Sequence, residues 1–491
     1  MQLYDEDLLS VQEVRELVAT AKKAQEAYQR MSQDQVDAII KSIAEAGVRN
    51  ARRLAKMAHE ETGFGVENDK VIKNVFGSRG VYESIKDMKT IGIVDFDEAN
   101  KLVKIAVPVG VVAGLIPSTN PTSTVFYKAE IALKSGNAII FSPHPNAKNC
   151  IMETVKVIKE AIAEAGGDEN LVNVITIPTL QATSNLMQHP DVAMILATGG
   201  SAMVRAAYSS GTPAIGVGPG NGPAYIEKTA DVPTAVKMIF DSKTFDNGTI
   251  CASEQSVVCD YDMVDCVKAE MEKQGAYFLN DEEITKLSKF ILRANGTMNP
   301  AIVGKSAQVI ANLAGIKIPE GIRVLVAKET GIGKGHPYSN EKLCPILAFY
   351  TAEDYKAVCE LCEEILRHQG AGHTFAIHSQ DQKVIEYFAM RIPASRIVVN
   401  SPSALGGIGA TTKLLPSLTL GCGAIGGSAT SENVGPMHLL NIKYVAWGIK
   451  DMDIIRKEVN QTIDQKCECC QTGDVDVDAL VAEIVKRLKA L

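Results

Sequence analysis

Cys251 stands in the run Phe245-Asp-Asn-Gly-Thr-Ile-Cys251-Ala-Ser-Glu254-Gln. A thiol placed after a Gly-Thr turn, at the start of a structured element, faces backbone amides that favour the thiolate, the form that attacks electrophilic carbon. The competing reading is a small buried core residue, the common fate of a free cysteine. Asn120, 131 positions earlier, closes Pro108-Val-Gly-Val-Val-Ala-Gly-Leu-Ile-Pro117-Ser-Thr-Asn120, a turn just past an apolar run. An amide donor there would stabilise the oxyanion formed when a thiolate adds to a carbonyl. Ordinary Asn-Pro turn chemistry is the alternative.

Such groups need a scaffold, and the chain supplies alternating short apolar runs and longer helical segments. Helical spacing covers Val11–Met31 and Gln35–Thr62, the latter stopped by Gly63-Phe64-Gly65. Short β-like runs at Thr90–Val94 and Lys101–Ile105 surround an acidic turn. Strands are then expected at Val111–Ile116, Ala138–Phe141, Val172–Ile177, Val192–Ala197 and Ala214–Val217. Helices Thr124–Lys134, Ala147–Ala165, Gln181–Gln188 and Ala202–Ser209 separate them. This alternation predicts a parallel, doubly wound α/β sheet that binds ligands at the carboxyl ends of its strands. Pro117–Thr122, Ser142–Pro145 and Thr198–Ser201 fall at such ends. A second α/β unit is expected over 228–421, with helix Asp354–His368 and strands His373–Ile377 and Arg396–Val399.

Composition narrows the function classes. Of 491 residues, 46% are hydrophobic and 22% charged, the profile of a globular enzyme. A net charge of −8 and a pI near 5.6 argue against nucleic acid or an anionic membrane as partner. The longest apolar stretch, Ile105–Pro117, is interrupted by Pro108, Gly110 and Gly114 and is too short to span a bilayer. Met1–Ser10 carries Asp5, Glu6 and Asp7 and no secretory pattern, so the eleven cysteines are expected to be reduced thiols in a cytoplasmic protein. Cys359-x-x-Cys362 lies within a helical segment, away from the usual redox context. Cys467, Cys469 and Cys470 lack further ligands at metal spacing, and no metal is expected.

The Asn120 and Cys251 segments, with Thr198-Gly-Gly-Ser201 and Glu341-Lys-Leu-Cys-Pro345, resemble the aldehyde dehydrogenase superfamily in order and spacing, from the first helix to about Trp447. The resemblance implies Cys251 as nucleophile, Asn120 as oxyanion donor and Glu341 as a ligand of the nicotinamide ribose. It also places Ile116, Pro117, Ser118 and Thr119 in the cofactor site, with Thr198, Gly199, Gly200 and Ser201 near the pyrophosphate.

Two departures point to a branch of that superfamily. Hydrolytic members carry a water-activating Glu where Val217, followed by Gly218, stands here. The Lys-Pro pair that usually meets the adenosine ribose is replaced by Ser142-Pro143-His144-Pro145. Both resemble CoA-acylating aldehyde dehydrogenases, as does Gly370-Ala-Gly-His373-Thr374, which implies an acid–base or CoA-orienting role for His373. Without the base, the acyl-enzyme waits for a thiol, which needs less activation than water. The implied reaction is reversible oxidation of acetaldehyde, propionaldehyde or a similar short aldehyde, with NAD and CoA, to acyl-CoA. A hydrolytic enzyme making free acid and a silent scaffold are the rivals.

The implied architecture is a Rossmann-type NAD/CoA-binding domain (1–86 and 108–227), an α/β catalytic domain (228–421) and a small β flap (87–107 and 424–445). In the superfamily that flap pairs subunits, implying a homodimer or a dimer of dimers. Residues 464–491 are expected to form a linker and an amphipathic helix, with Val477, Leu480, Val481, Ile484, Val485 and Leu488 on one face. That tail resembles the encapsulation peptides of bacterial-microcompartment enzymes, which implies a shell protein as partner of 474–491. A helix packing on its own enzyme or on a neighbouring subunit is the alternative, and a weakly membrane-binding helix, with only Lys486, Arg487 and Lys489 as basic charge, is a third.

Overall fold

A computed structural model describes residues 5–293, 296–464 and 477–488. The chain divides into two compact units, Met1–Val94 with Ala106–Ile442, and Asp95–Ile105 with Lys443–Leu491.

The strands are β1 (Gly92–Asp97), β2 (Leu102–Pro108), β3 (Val111–Leu115), β4 (Ala138–Ser142), β5 (Val172–Val174), β6 (Val192–Thr198), β7 (Ala214–Val217), β8 (Pro223–Ile226), β9 (Ser256–Asp260), β10 (Ala276–Phe278), β11 (Val324–Lys328), β12 (Ile346–Ala352), β13 (Gly372–His378), β14 (Ala394–Val399) and β15 (Leu440–Ala446). The larger unit holds two parallel sheets, ordered β5-β4-β3-β6-β7 and β10-β11-β12-β9-β8-β13-β14.

The expected parallel α/β sheets are present. In the five-stranded sheet the chain runs outward from β3 through β4 to β5, then returns to the other side of β3 as β6 and β7. The strand order therefore reverses between β3 and β6, and their carboxyl ends open the crevice where such sheets bind ligands.

Both faces of the seven-stranded sheet are buried. Tyr225, Val258, Leu325, Ala348, Phe375 and Ile377 pack in one cluster. Their neighbours Ala224, Val257, Val326, Leu347 and Ala376 pack in another. This is the period-two alternation of a strand covered on both sides.

The helices of the first half are α1 (Glu6–Tyr28), α2 (Gln33–Thr62), α3 (Glu67–Val75), α4 (Val81–Ile85), α5 (Pro121–Lys134), α6 (Lys148–Glu164), α7 (Leu180–Gln188) and α8 (Ser201–Tyr208). Ser32 and Gln35 form a capping box that starts α2, and Gly63 in a left-handed conformation ends it. A five-residue π-turn, Phe76–Gly80, joins α3 to α4. Gly77 is required there: a Cβ would lie 2.6 Å from the Ser123 carbonyl oxygen, so only glycine lets this segment approach the start of α5.

Some expectations change. β8 pairs with β9 and β13, so Pro223–Ile226 belongs to the seven-stranded sheet, and the boundary expected at 227/228 falls earlier. The chain crosses between sheets through Gly218-Pro-Gly-Asn-Gly222, which lacks the side chains a strand needs. The strand expected at Val172–Ile177 stops at Val174.

The smaller unit carries most of a three-stranded sheet, β1-β2-β15. Of the expected flap, 424–439 stays outside this sheet, and Val434 and Leu439 are buried in the core of the larger unit. Helix Met452–Asp464 was not anticipated, and helix Val477–Leu488 matches the amphipathic segment expected there. The linker thiols Cys467, Cys469 and Cys470 lie outside the described residues. Among the described residues, no helix is long and apolar enough to cross a membrane.

Candidate active site

The turns at the switch point and the loop that carries Cys251 meet in one cleft of about 240 Å³, open at its mouth. It is lined by Pro117, Ser118, Thr119 and Asn120 after β3, by Thr198, Gly199 and Gly200 after β6, and by Val217 and Gly218 after β7. His144, Cys251 and Glu341 complete the expected set. Ile116 is fully buried and packs in the core behind the cleft. Ser142 hydrogen-bonds Thr183 at 2.8 Å, Pro143 is buried beside it, and Ser201 is exposed at the start of α8; none of these lines the cleft.

Cys251 follows a strained turn. Asp246 and Asn247 have φ of 49° and 52°, a left-handed pair that Asp and Asn tolerate best among residues with a side chain. The thiol is half-buried against Ile250, Ala252 and Ile408. Gly220 must be glycine, because a Cβ there would sit 1.9 Å from the Cys251 carbonyl oxygen.

Burial, reinforced by the negative charge of Glu341, pushes the Cys251 thiol up to about 12. The expected lowering by backbone amides is therefore outweighed in the resting site. Glu341 is itself raised to about 7 by burial, while its Oε1 accepts a hydrogen bond from the Gly220 N–H at 3.0 Å. Glu341→Gln removes the charge that opposes the thiolate, so iodoacetamide should alkylate Cys251 faster in this variant at pH 8 than in the wild type. An unchanged or slower rate would show that Glu341 does not act on the thiol.

Asn120 ends the turn at the start of α5, and its amide is held at both ends. Nδ2 donates to the Thr249 carbonyl and to Thr119 Oγ1, each at 3.2 Å, while Oδ1 accepts from Lys73 Nζ at 2.6 Å. The donor end thus faces the segment bearing the thiol, where an oxyanion would compete with a neutral carbonyl for its hydrogens.

His373 departs from expectation. It is absent from the cleft lining and fully buried; Nδ1 contacts Thr374 Oγ1 at 2.9 Å and Nε2 has no partner. Burial, with Arg396 nearby, lowers it to about 3. The ring lies close behind the cleft wall, against Gly220, where a built Cβ would sit 3.2 Å from its Nδ1 and 1.9 Å from the Cys251 carbonyl oxygen.

The remaining walls were not foreseen. Met203, Pro219, Thr249, Ile250, Leu343, Ile408, Leu418 and Leu420 line the cleft. Thr249 and Ile250 sit inside the Cys251 motif, but nothing local marks Ile408, Leu418 or Leu420 as more than core residues. Cys359 and Cys362 are buried in helix Tyr355–His368, clear of the cleft.

The crevice lies at a sheet's switch point, the place where such sheets hold dinucleotides, with a thiol and an amide donor beside it. The aldehyde dehydrogenase family model matches residues 7–410, and the chain belongs to that family.

Two relatives bracket it. It is 45% identical over 448 residues to the bifunctional aldehyde-alcohol dehydrogenase AdhE of Escherichia coli (strain K12), covering 90% of this chain and 50% of that one. It is 38% identical over 441 residues to the acetylating succinate-semialdehyde dehydrogenase of Clostridium kluyveri, covering 90% and 97%. The chain thus spans about half the length of the bifunctional relatives it matches.

Three solved structures share the fold. A probable aldehyde dehydrogenase from Listeria monocytogenes EGD-e is 61% identical with a TM-score of 0.91, covering 92% of this chain and 100% of that one. An acetylating aldehyde dehydrogenase from Geobacillus thermoglucosidasius is 53% identical with a TM-score of 0.90, covering 92% and 99%. A propionaldehyde dehydrogenase from the fucose-utilisation microcompartment of Clostridium phytofermentans is 29% identical with a TM-score of 0.80, covering 89% and 98%.

The residues present fit a nicotinamide dinucleotide. Built Cβ positions on Gly200 and Gly218 meet nothing within 4 Å, so a side chain at either would take up open space at the cleft wall. The N-terminus of α8 follows Gly200 without a side-chain cap, leaving amide hydrogens for a pyrophosphate. The Glu341 carboxylate suits a ribose hydroxyl.

Proposed function

We propose that the protein is a CoA-acylating aldehyde dehydrogenase, converting a short uncharged aldehyde, NAD and CoA reversibly to acyl-CoA and NADH. The observation that carries this reading is the composition of the cleft wall. Nucleophile and oxyanion donor are both present, yet Glu341 is the one carboxylate among the described lining residues, and it is tied to the Gly220 amide. Val217, buried at the end of β7, stands where a water-activating Glu would be needed. The acyl acceptor must then be a better nucleophile than water, and a thiol such as CoA is one.

The steps follow from the side chains. Cys251, once deprotonated, adds through Sγ to the aldehyde carbon, and the resulting oxyanion of the hemithioacetal is held by Asn120 Nδ2 and the Cys251 amide. Glu341, Gly218 and the Thr198–Gly200 turn would hold a nicotinamide dinucleotide, which would supply the hydride acceptor. Loss of hydride leaves a thioester on Cys251. The CoA thiolate then adds to that thioester, the same donors hold the second oxyanion, and Cys251 leaves as thiolate. Incubating the enzyme with propionaldehyde and NAD without CoA should leave a propionyl group on Cys251 that added CoA removes. An unmodified Cys251 with free acid accumulating would refute the pathway.

The wall also bears on the substrate. Ile250, Ile408, Leu418, Leu420 and Met203 are apolar, and no Lys or Arg is among the described lining residues. An aldehyde that carries a carboxylate would lose its hydration without finding a cation. We therefore expect kcat/KM for acetaldehyde or propionaldehyde to exceed that for succinate semialdehyde by at least about 10-fold, the value of one unpaired polar group. Equal values would contradict this.

Two assembly proposals accompany the reaction. Ile93, Phe96, Tyr444, Val445 and Trp447 are exposed on and beside the three-stranded sheet, which supports its pairing with a second copy in a homodimer or a dimer of dimers. Helix Val477–Leu488 lies beyond the family match and supports docking of 474–491 on a microcompartment shell protein. Deleting 474–491 should leave kcat unchanged and abolish co-purification with shells. Unchanged co-purification would remove the encapsulation role.

A further inference from the structure

Beneath the cleft lies a buried polar cluster that the reaction scheme leaves without a role. Lys73, on α3, is 3% exposed, and its Nζ meets Asn120 Oδ1 at 2.6 Å, Asp246 Oδ2 at 2.5 Å and Thr249 Oγ1 at 2.9 Å. Those three contacts use every hydrogen an ammonium can donate. Asp246 is fully buried: Oδ1 accepts from the Val66 amide at 2.7 Å, and Oδ2 also accepts from Lys70 at 3.0 Å and Thr249 Oγ1 at 2.7 Å. Its own amide donates to Asp69 Oδ2 at 2.7 Å. Gly65 permits this closure, since a Cβ there would fall 1.8 Å from Asp246 Oδ1. Asn120 and Thr249 both line the cleft, and Lys73, which does not line it, contacts both.

An asparagine amide can be turned over at little cost in shape, and only its partners choose which end faces a site. If the Asn120 amide turned, an acceptor oxygen would face the developing oxyanion and repel it. Lysine carries donors alone, so its contact with Oδ1 forces Nδ2 toward Thr249 and the thiol. Burial of the ammonium, which lowers Lys73 to about 8, is opposed by Asp246, and the side chain keeps its proton near neutrality.

We infer that Lys73 is a positioning residue for the acyl-transfer chemistry, fixing the Asn120 amide with its N–H groups toward the reacting carbonyl and tying that donor to the loop that carries the nucleophile. This rests on the functional reading above. Lys73 touches no substrate atom and acts through Asn120.

The test is a double-mutant cycle in the full-length enzyme with Lys73→Met, Asn120→Ala and both together. Two rates are read: the first-turnover burst of NADH from propionaldehyde, and alkylation of Cys251 by iodoacetamide, a displacement that forms no oxyanion. Lys73→Met should slow the burst by about 10- to 100-fold, somewhat less than loss of the donor itself. Alkylation should stay near the wild-type rate, and the double variant should be no slower in the burst than Asn120→Ala alone. Multiplicative losses in the double variant, or alkylation slowed as much as the burst, would overturn the inference and make Lys73 a support of the loop only. If Lys73→Met does not fold, Lys73→Gln, which keeps a donor without the charge, is taken through the same cycle and judged by the same two rates. A wild-type enzyme without CoA-dependent turnover, or an Asn120→Ala variant with a full burst, would instead refute the functional reading, a distinct result.

Discussion

Replacing Cys251 by Ala is expected to lower turnover with aldehyde, NAD and CoA by at least about 10⁴-fold, because single members of a covalent catalytic unit carry losses of that order or larger. The site offers no substitute. Among the described cleft-lining residues Cys251 is the one cysteine, and the hydroxyls of Ser118, Thr119, Thr198 and Thr249 are weak nucleophiles. Thr198 Oγ1 is engaged with Thr419, and Thr249 Oγ1 with Asp246. Removing one sulfur from a half-buried position leaves the packing of Ile250, Ala252 and Ile408 in place. The variant should therefore fold and bind NAD with wild-type affinity, checked by fluorescence titration. A variant retaining more than about one hundredth of wild-type turnover would be incompatible with a thioester on this residue.

Asn120→Ala is expected to lower kcat by about 10²- to 10³-fold, the usual loss when one oxyanion donor is removed, with little change in affinity for NAD. The substitution removes the donor and also leaves Lys73 with one acceptor fewer; Asp246 and Thr249 still hold that ammonium. Asn120→Asp should be at least as damaging despite its similar shape, since a carboxylate would repel the oxyanion. Single-turnover NADH formation separates this loss from effects on CoA entry. A loss confined to KM would show that Asn120 binds ground states only.

Much of the fold was readable from strand–helix alternation, because parallel sheets covered on both faces require short apolar runs between helices. The Cys251 segment, which follows helix Val232–Thr244, was marked by its family resemblance, whereas the Asn120 and Thr198–Gly200 turns were readable for a reason closer to the fold. A crevice at a switch point draws on turns directly after strands, and those turns are continuous in sequence.

What escaped is tertiary. The π-turn at Phe76–Gly80 has no mark in the local sequence, and Lys73 looks like any charged residue on a helix until the fold closes over it. The shift of Cys251 to about 12 depends on burial and on Glu341, ninety residues away. His373 lies in a suggestive motif, yet β13 begins at Gly372 and carries it into the sheet's buried interior. Pro223–Ile226 falls inside the 108–227 range expected for the dinucleotide-binding domain yet pairs in the seven-stranded sheet, since a short apolar run does not announce which neighbours it will pair with.

The most direct measurement is steady-state NADH formation from propionaldehyde and NAD, with and without CoA. Turnover sustained only with CoA, with propionyl-CoA as product and a single-turnover burst when CoA is omitted, is the predicted result. Sustained NADH formation without CoA, giving propionate, would mean that some group in the cleft activates water and that Val217 does not mark a missing base.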